Sequence, residues 1–480
     1  MIYQHLFDHV QAPATVRAGL IGAGQFGTPI VTQAPLIPRL DVPVVADLNI
    51  EAGRRAFRLA GYADEDIFVC ESHADALRAL EAGHRVVLQD ALLMMDLPLD
   101  VIASATRSPG AGAAYATAAI RHGKHVVMID KEADSVVGPM LKHLADRAGV
   151  VLTSDDGDEP GLAMGLVSWA RALGLEVLSA GNLHGCLYDP ATASITSRER
   201  AVRAPAEDRW ALERIPPGEV PRYVETRRRL TSDWRVDEEC GDPLAHMAVL
   251  ANGTGLLPDA PAGHRPVVRY LELPEVLCPV EEGGILRTRG VVDIPTVLYR
   301  ADDPNPGGGV FIVVANDDAV SRETMIRKGA VANSRGSAIM LYRPYHLCGA
   351  ETAMSILCAG LLRVPTGSAE VLPHVDIVAA TARDFRAAEM LGSSGTLGWN
   401  RDLRASLVPA FPLSGSSPVP FFMLEGNRLA KDVPAGTTIT VDMIAPPVDS
   451  ALWSLRRQQD AHFFPRAQCR SGAGGPGNQD

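Results

Sequence analysis

From Val16 to about Val151, short apolar runs alternate with stretches of helical periodicity. That alternation predicts strands and helices in turn, wound into a parallel sheet covered on both faces. The strand-like runs are 16–21, 42–46, 101–105 and 125–129, with 150–153 a further one. Helical patterns fall at 50–60, 73–82, 111–122 and 138–148, while the loosely apolar stretch 86–97 matches neither period. The polar loop Ser154-Asp-Asp-Gly-Asp-Glu-Pro160 then precedes a helix at 162–173 and a strand at 176–181.

From 183 to 345 the pattern changes. Long polar connections, many prolines and separated β-rich runs at 266–273, 285–294 and 309–315 predict an α+β region. Residues 350–362 read as an apolar helix able to pack back on the first sheet. Beyond Pro365, β-like pieces at 377–381, 429–430 and 438–441 lie between Gly, Ser and Pro, predicting a small all-β module. The tail after Pro465 is too polar and Gly-rich to pack, and disorder is expected there. The expected organisation is an α/β chain: a doubly wound parallel sheet over 1–160, a substrate domain over 161–365, a β module over 366–465 and a tail over 466–480.

Composition narrows the function. A net charge of −12 argues against a nucleic-acid partner. No apolar run reaches membrane-spanning length, and the N-terminus lacks a basic region followed by a long apolar one, so neither membrane nor signal peptide is expected. Seven cysteines, at 70, 186, 240, 278, 348, 358 and 469, are scattered without a C-x-x-C pair. That pattern suits reduced thiols in a cytoplasm, and neither a cysteine nucleophile nor a zinc site is assigned.

The first apolar run leads straight into Gly22-Ala-Gly24-Gln25-Phe26-Gly27. Gly22 suits a tight turn off a strand, Gly24 a close approach to pyrophosphate, and Gly27 the packing of the next helix on the sheet. The second apolar run ends in Asp47, where a dinucleotide fold places the acid that binds ribose hydroxyls. A carboxylate there repels a 2′-phosphate, so NAD is expected, with NADP the alternative. Asp47 as a mere cap of the following helix is the other reading.

Three constellations carry candidate chemistry. Lys131, just past the run 125–129, stands at the carboxyl edge of the expected sheet, where open α/β folds bind ligands; a solvated lysine paired with Asp130 or Glu132 is the alternative. The acidic loop Asp155, Asp156, Asp158 and Glu159 suits a divalent cation, substrate hydroxyls or a helix cap, and no metal is assigned. Arg343, Tyr345 and His346 suit an anion clamp and a proton shuttle, or a helix-entry turn. Asp293 and the turn 251–259 are further polar insertions beside apolar runs.

Together the Gly-rich turn, 125–134, Gly157–Pro160, Ser179–Gly181, Asn252–Asp259, Glu282–Ile285, Gly290–Asp293 and Arg343–Leu347 resemble, in order, the homoserine-dehydrogenase-like oxidoreductases with a C-terminal SAF domain. This group includes the DXR-like 1-deoxy-D-xylulose 5-phosphate reductoisomerases. The resemblance implies an N-terminal Rossmann domain, a central catalytic and dimerisation domain, a SAF-like β module, and a homodimer or homotetramer. It also likens Lys131 to the lysine of the homoserine dehydrogenase Asn-Lys motif. Two departures stand out. The DXR-like enzymes carry arginines after the second strand and a Lys-Gly-Lys-Asn-Asn run after Ser-Ala-Gly. Here Asp47-Leu-Asn and Asn182-Leu-His184-Gly-Cys186 stand in those places.

The expected activity is therefore hydride transfer to or from a small hydroxylated or carboxylated substrate. The nicotinamide is expected near Thr106, Arg107 and Lys131, with Lys131, His184 or His346 as acid or base, Arg343 as anion clamp, and Asp158 and Glu159 on substrate. A sugar-phosphate reductoisomerase and a catalytically silent NAD sensor are the competing readings.

Overall fold

The computed structural model describes residues 2–10, 15–197, 200–232, 241–392 and 397–465; the expected disorder of 466–480 lies outside them. A seven-stranded parallel sheet forms the N-terminal part. Its strands are Val16–Ile21 (β1), Leu40–Ala46 (β2), Ile67–Cys70 (β3), Arg85–Leu88 (β4), Val101–Ser104 (β5), His125–Met128 (β6) and Leu152–Ser154 (β7). They lie in the order β3-β4-β2-β1-β5-β6-β7, a Rossmann-like sheet with helices on both faces. The order reverses at β1, so the crevice beyond the carboxyl ends of β1 and β5 is where a ligand fits.

Two strands escape the sequence pattern. β3 exposes its two middle residues, Phe68 and Val69, so it shows no alternation. β4 occupies the start of the aperiodic stretch 86–97, which continues into a 3-10 turn at Ala91–Met94.

The helix expected at 138–148 instead spans Lys131–Ala148 and carries Pro139 inside it. A proline within a helix breaks the hydrogen-bond ladder and ordinarily ends the element. Here the Gln459 amide, from the C-terminal helix Ala451–Phe463, repairs the break. Its Oε1 accepts from the Met140 N–H at 3.2 Å and its Nε2 donates to the Val136 carbonyl at 3.0 Å. Lys131 is therefore a first-turn helical residue.

The central region holds two five-stranded sheets. Glu176–Asn182 (β8) and His184–Asp189 (β9) are nearly continuous, and the chain passes between sheets at Leu183. Ser194–Ser197 (β10), Arg200–Arg203 (β11), Val267–Arg269 (β12) and Thr296–Tyr299 (β14) complete the sheet β11-β10-β9-β14-β12. Val291–Val292 (β13), Val310–Ala315 (β15), Val331–Ala332 (β16) and Ala338–Arg343 (β17) complete the sheet β13-β8-β15-β17-β16. The runs 266–273 and 285–294 thus yield only short strands.

The apolar stretch 350–362 is a helix, Thr352–Leu357, followed by a π-helical turn, Cys358–Leu362. Ile356, Leu357, Ala359 and Leu361 join the core beneath β1, as the apolar pattern expects. Beyond it Val375–Thr381 (β18) pairs with Leu403–Pro409 (β19), and the pieces 429–430 and 438–441 contribute isolated bridges. Unlike the expected all-β module, this part closes with the helix Ala451–Phe463 laid against the Lys131–Ala148 helix. One buried cluster runs from Ile102 and Leu141 through Leu250 to Ile377, Phe421 and Leu455, so the C-terminal part shares the core of the first sheet. Among the described residues, no helix is long and apolar enough to cross a membrane.

Candidate functional site

The glycine-rich turn meets each demand placed on it. Gly22 has φ +94°, and a Cβ there would lie 2.3 Å from the Ala105 carbonyl oxygen. A Cβ on Gly27 would lie 1.9 Å from the Gly22 oxygen, whereas at Gly24 it would meet open space. The turn is thus closed where it packs and open where pyrophosphate would sit, with Gln25 exposed and Phe26 preceding the helix Gly27–Gln33. Asp47, at the end of β2, accepts from Ala23 N at 2.7 Å and Asn49 N at 2.8 Å. The cap of the following helix is Asn49, whose side chain accepts from Glu51 N, so Asp47 is not that cap. Its two oxygens keep further lone pairs for ribose hydroxyls.

Asp130 ties the next two loops together. Fully buried, it accepts from the Ser104 and Thr106 hydroxyls and from the backbone N–H groups of Thr106 and Arg107. Arg107 takes a positive φ of 58° in this loop. Thr106 and Arg107 are thereby fixed beside the start of the Lys131 helix, at the carboxyl edge of the sheet.

Lys131 Nζ lies 3.6 Å from Asp242 Oδ1 and 3.9 Å from Glu132 Oε1. Burial works to deprotonate it, but Asp158, Asp242, Glu132 and Glu159 outweigh that and hold its pKa above the usual lysine value. Burial pushes the Glu132 carboxyl up to about 7, against the pull of Lys131.

Asp158 caps the helix Glu159–Ala172, its Oδ1 accepting from Glu159 N at 3.0 Å. The expected cap role therefore holds, and a second carboxylate follows at once. Burial opposes ionisation of both. A hydrogen bond with the Glu159 carboxyl, together with His246 and Lys131, nevertheless holds Asp158 below the carboxylate range, while burial, the Asp158 charge and that same bond push Glu159 well above it. The two carboxyls share one buried site, where the charge of one disfavours ionisation of the other.

His246 faces this pair, its Nε2 4.0 Å from Asp158 Oδ1 and 3.8 Å from Glu159 Oε2. Burial lowers its pKa to about 4, so the ring is neutral. Asp158, Glu159 and His246 each offer a ligand atom within 4.8 Å of the others, a set able to hold a metal ion.

His346 closes the other side, Nδ1 3.9 Å from Glu159 Oε1. Burial disfavours its charged form, but contacts with the Cys348 sulfur at 2.8 Å and the Gly308 carbonyl prevail and raise it to about 9. Three residues on from His346, a Cβ at Gly349 would stand 2.4 Å from the Phe26 carbonyl oxygen. The 343–349 turn therefore joins the glycine-rich turn to the Lys131 cluster.

The structure thus brings together Lys131, Asp158, Glu159 and His346, with Thr106 and Arg107 alongside. Arg343 is a different case. Its guanidinium pairs with Glu351, which also accepts from Leu347 N at 2.8 Å, so it staples the turn instead of standing open as an anion clamp. Of the 182–186 run, Asn182 is the residue at the cluster, its Nδ2 3.5 Å from His246 Nδ1, while His184 begins β9 in the neighbouring sheet. Asp155 and Asp156 lie against the helix Thr352–Leu357: the Asp155 carboxylate accepts from Thr352 Oγ1 and the Asp156 backbone N–H donates to Ser355 Oγ. Asp293 accepts three backbone N–H groups, from His264, Arg265 and Ile294, and Asn252 ties its helix to β18, so both are structural.

His246 and Asp242 were missed. They stand four residues apart in the first half of the largely apolar helix Gly241–Thr254, and two polar groups at that spacing on one face of a buried helix were the available signal. Asn182 and Cys348 carried no signal beyond their neighbours.

Residues 241–352, which carry Asp242, His246 and His346, match the family model described as "Oxidoreductase DRL, catalytic domain". A search of curated proteins finds no match to the chain. Among solved structures, an NAD binding oxidoreductase from Klebsiella pneumoniae is 20% identical over 37% of this chain and 45% of its own, with a TM-score of 0.26. A levoglucosan dehydrogenase solved with NADH and L-sorbose is 18% identical over 38% and 45%, at 0.25. A scyllo-inositol dehydrogenase from Lactobacillus casei is 16% identical over 36% and 46%, at 0.24. The chain spans under half the length of each, and each likeness is slight. The catalytic domain to which residues 241–352 are similar is that of an oxidoreductase.

Proposed function

We propose that the chain is an NAD(P)-dependent oxidoreductase of the homoserine-dehydrogenase-like kind, with NAD as the expected cofactor and a small hydroxylated or carbonyl compound as substrate. The observation that carries this reading is the join made by the 343–349 turn. It sets an open glycine cradle and a buried Lys–carboxylate–His cluster side by side at the same edge of one parallel sheet.

The cradle of Gly22, Gly24 and Gly27 fits a pyrophosphate, and Asp47 fits a ribose with a free 2′-hydroxyl. When bound, the nicotinamide supplies or accepts the hydride. In the reducing direction, the Lys131 ammonium gives its proton to the oxygen of the carbonyl being reduced; in the oxidising direction the same proton returns to Lys131. Asp242 and Glu132 orient Lys131. The C-terminal helix, through Gln459, secures the helix that carries it.

The test is calorimetric titration with NADH and NADPH, for the wild type and Asp47→Ala. The expected result is a preference for NADH that shrinks about tenfold in the variant, roughly 1.4 kcal/mol, through both weaker NADH and stronger NADPH binding. Because Asp47 also holds Ala23 N, weaker binding of NADH alone is explained by a disturbed turn; the gain for NADPH is not. An NADPH preference untouched by the substitution would sink the assignment of Asp47 and of NAD.

A further inference from the structure

We propose that Asp158, Glu159 and His246 bind one first-row divalent cation, of the Mn2+ or Zn2+ class, in contrast to the metal-free centre expected from the sequence. The three ligand atoms converge: His246 Nε2 is 4.0 Å from Asp158 Oδ1 and 3.8 Å from Glu159 Oε2, and all three lie within 4.8 Å of one another. Three ligands each about 2.1 Å from an ion at their centre stand about 3.6 Å apart, so each group moves inward by a few tenths of an ångström to seat the ion.

An independent observation points the same way. His246 Nε2 is buried and has no hydrogen-bond partner, though it faces two carboxylates. A buried nitrogen without a partner is costly, and an ion at the centre of the triangle is the partner its lone pair lacks. Asn182 places its amide Nδ2 3.5 Å from Nδ1; turned over by half a revolution, the same amide presents its oxygen to the N–H that a metal-bound imidazole points outward.

The neighbouring cations leave the position open. Lys131 is engaged by Asp242 and Glu132, and His346 faces Oε1 of Glu159 whereas His246 faces Oε2. One imidazole with two carboxylates selects against Ca2+ and Mg2+, which favour all-oxygen shells, and for Mn2+, Fe2+ or Zn2+. Three protein ligands leave coordination positions for a substrate oxygen, which the ion polarises as a Lewis acid. That last role rests on the proposed function; the binding of the ion does not.

The test uses the full-length protein freed of metal with EDTA, and Mn2+ alone as the probe. Electron paramagnetic resonance titration is expected to show one tightly held Mn2+ per chain, with electron spin-echo modulation from one imidazole nitrogen. His246→Gln should abolish the nitrogen modulation, and either it or Glu159→Gln should weaken binding at least tenfold. Absence of stoichiometric Mn2+, or bound Mn2+ without nitrogen coupling in the wild type, overturns the proposal whether or not the variants fold. NADH titration of the EDTA-treated protein runs beside it: unimpaired NADH binding with no Mn2+ site refutes the metal and leaves the cofactor reading standing, and a Mn2+ site without NADH binding does the reverse.

Discussion

Two buried charge clusters in this chain have opposite construction. In the C-terminal part, Arg456 is fully buried and every arm of its fork is used. Nε meets Asp460 at 2.8 Å, Nη2 meets Asp376 at 2.7 Å and the Phe411 carbonyl at 2.6 Å, and Nη1 meets the second Asp376 oxygen. The carboxylates are satisfied in turn by the Phe411 and Leu413 N–H groups. Around Lys131, by contrast, the ammonium stands 3.6 Å from Asp242 and 3.9 Å from Glu132, and the neutral His246 faces Asp158 at 4.0 Å with its Nε2 lacking a partner. A network that closes on itself holds a fold together. One whose members face each other across a gap, at a cost in desolvation, has the construction expected of a ligand site, which is the role proposed for it above.

The comparison can be broken from either side. The largest effect is expected at Lys131: Lys131→Met should lower kcat/KM about 10²- to 10⁴-fold for the best substrate in a panel of polyols and hydroxy acids. Unchanged turnover would reduce Lys131 to a structural cation. Arg456→Met should do the opposite. It leaves Asp376 and Asp460 as buried charges without their partner and should cost about 3–5 kcal/mol in urea unfolding, with NADH affinity of the remaining folded protein intact. A loss below about 1 kcal/mol would mean the closed network is not what secures this part.

The smallest effect is expected at Asp134, a buried carboxyl that accepts from the Ser154 hydroxyl at 3.0 Å and faces no cation among the described residues. Burial raises it to about 6 from 3.8, against the pull of that hydroxyl. A raised folded pKa in an acid means the folded state prefers the proton. The penalty therefore sets in as pH rises past 3.8 and is complete above about 6. Asp134→Asn should thus be more stable than the wild type by at most about 3 kcal/mol at pH 8, with the difference gone below pH 4. A pH-independent difference would show that hydrogen bonding, not charge, distinguishes the two side chains.

Much of the N-terminal half was legible, because its signals are local. Gly22 and Gly27 stand where only a hydrogen fits, and the apolar runs at β1, β2, β5 and β6 are long enough to announce buried strands. Asp47 and Lys131 were found because their places follow from strand ends. β3 was not found, since four residues with two exposed apolar side chains in the middle carry no period. The early start of the Lys131 helix was hidden for a different reason: the repair of Pro139 comes from Gln459, 320 residues further on. Arg343 looked like an anion clamp because its partner, Glu351, lies across a turn whose shape sequence does not give.

What the sequence determined by itself is the class of fold, the glycine cradle and the strand-end positions of Asp47 and Lys131. Each depends on neighbours within a few residues, through backbone sterics and hydrophobic period. What only the tertiary structure decided is the membership of the charged cluster. His246 reaches Asp158 and Glu159 from a helix more than eighty residues away in the chain, and His346 from a turn almost a hundred beyond that. Such convergence is fixed by how helices dock on a common core, and no local propensity encodes it.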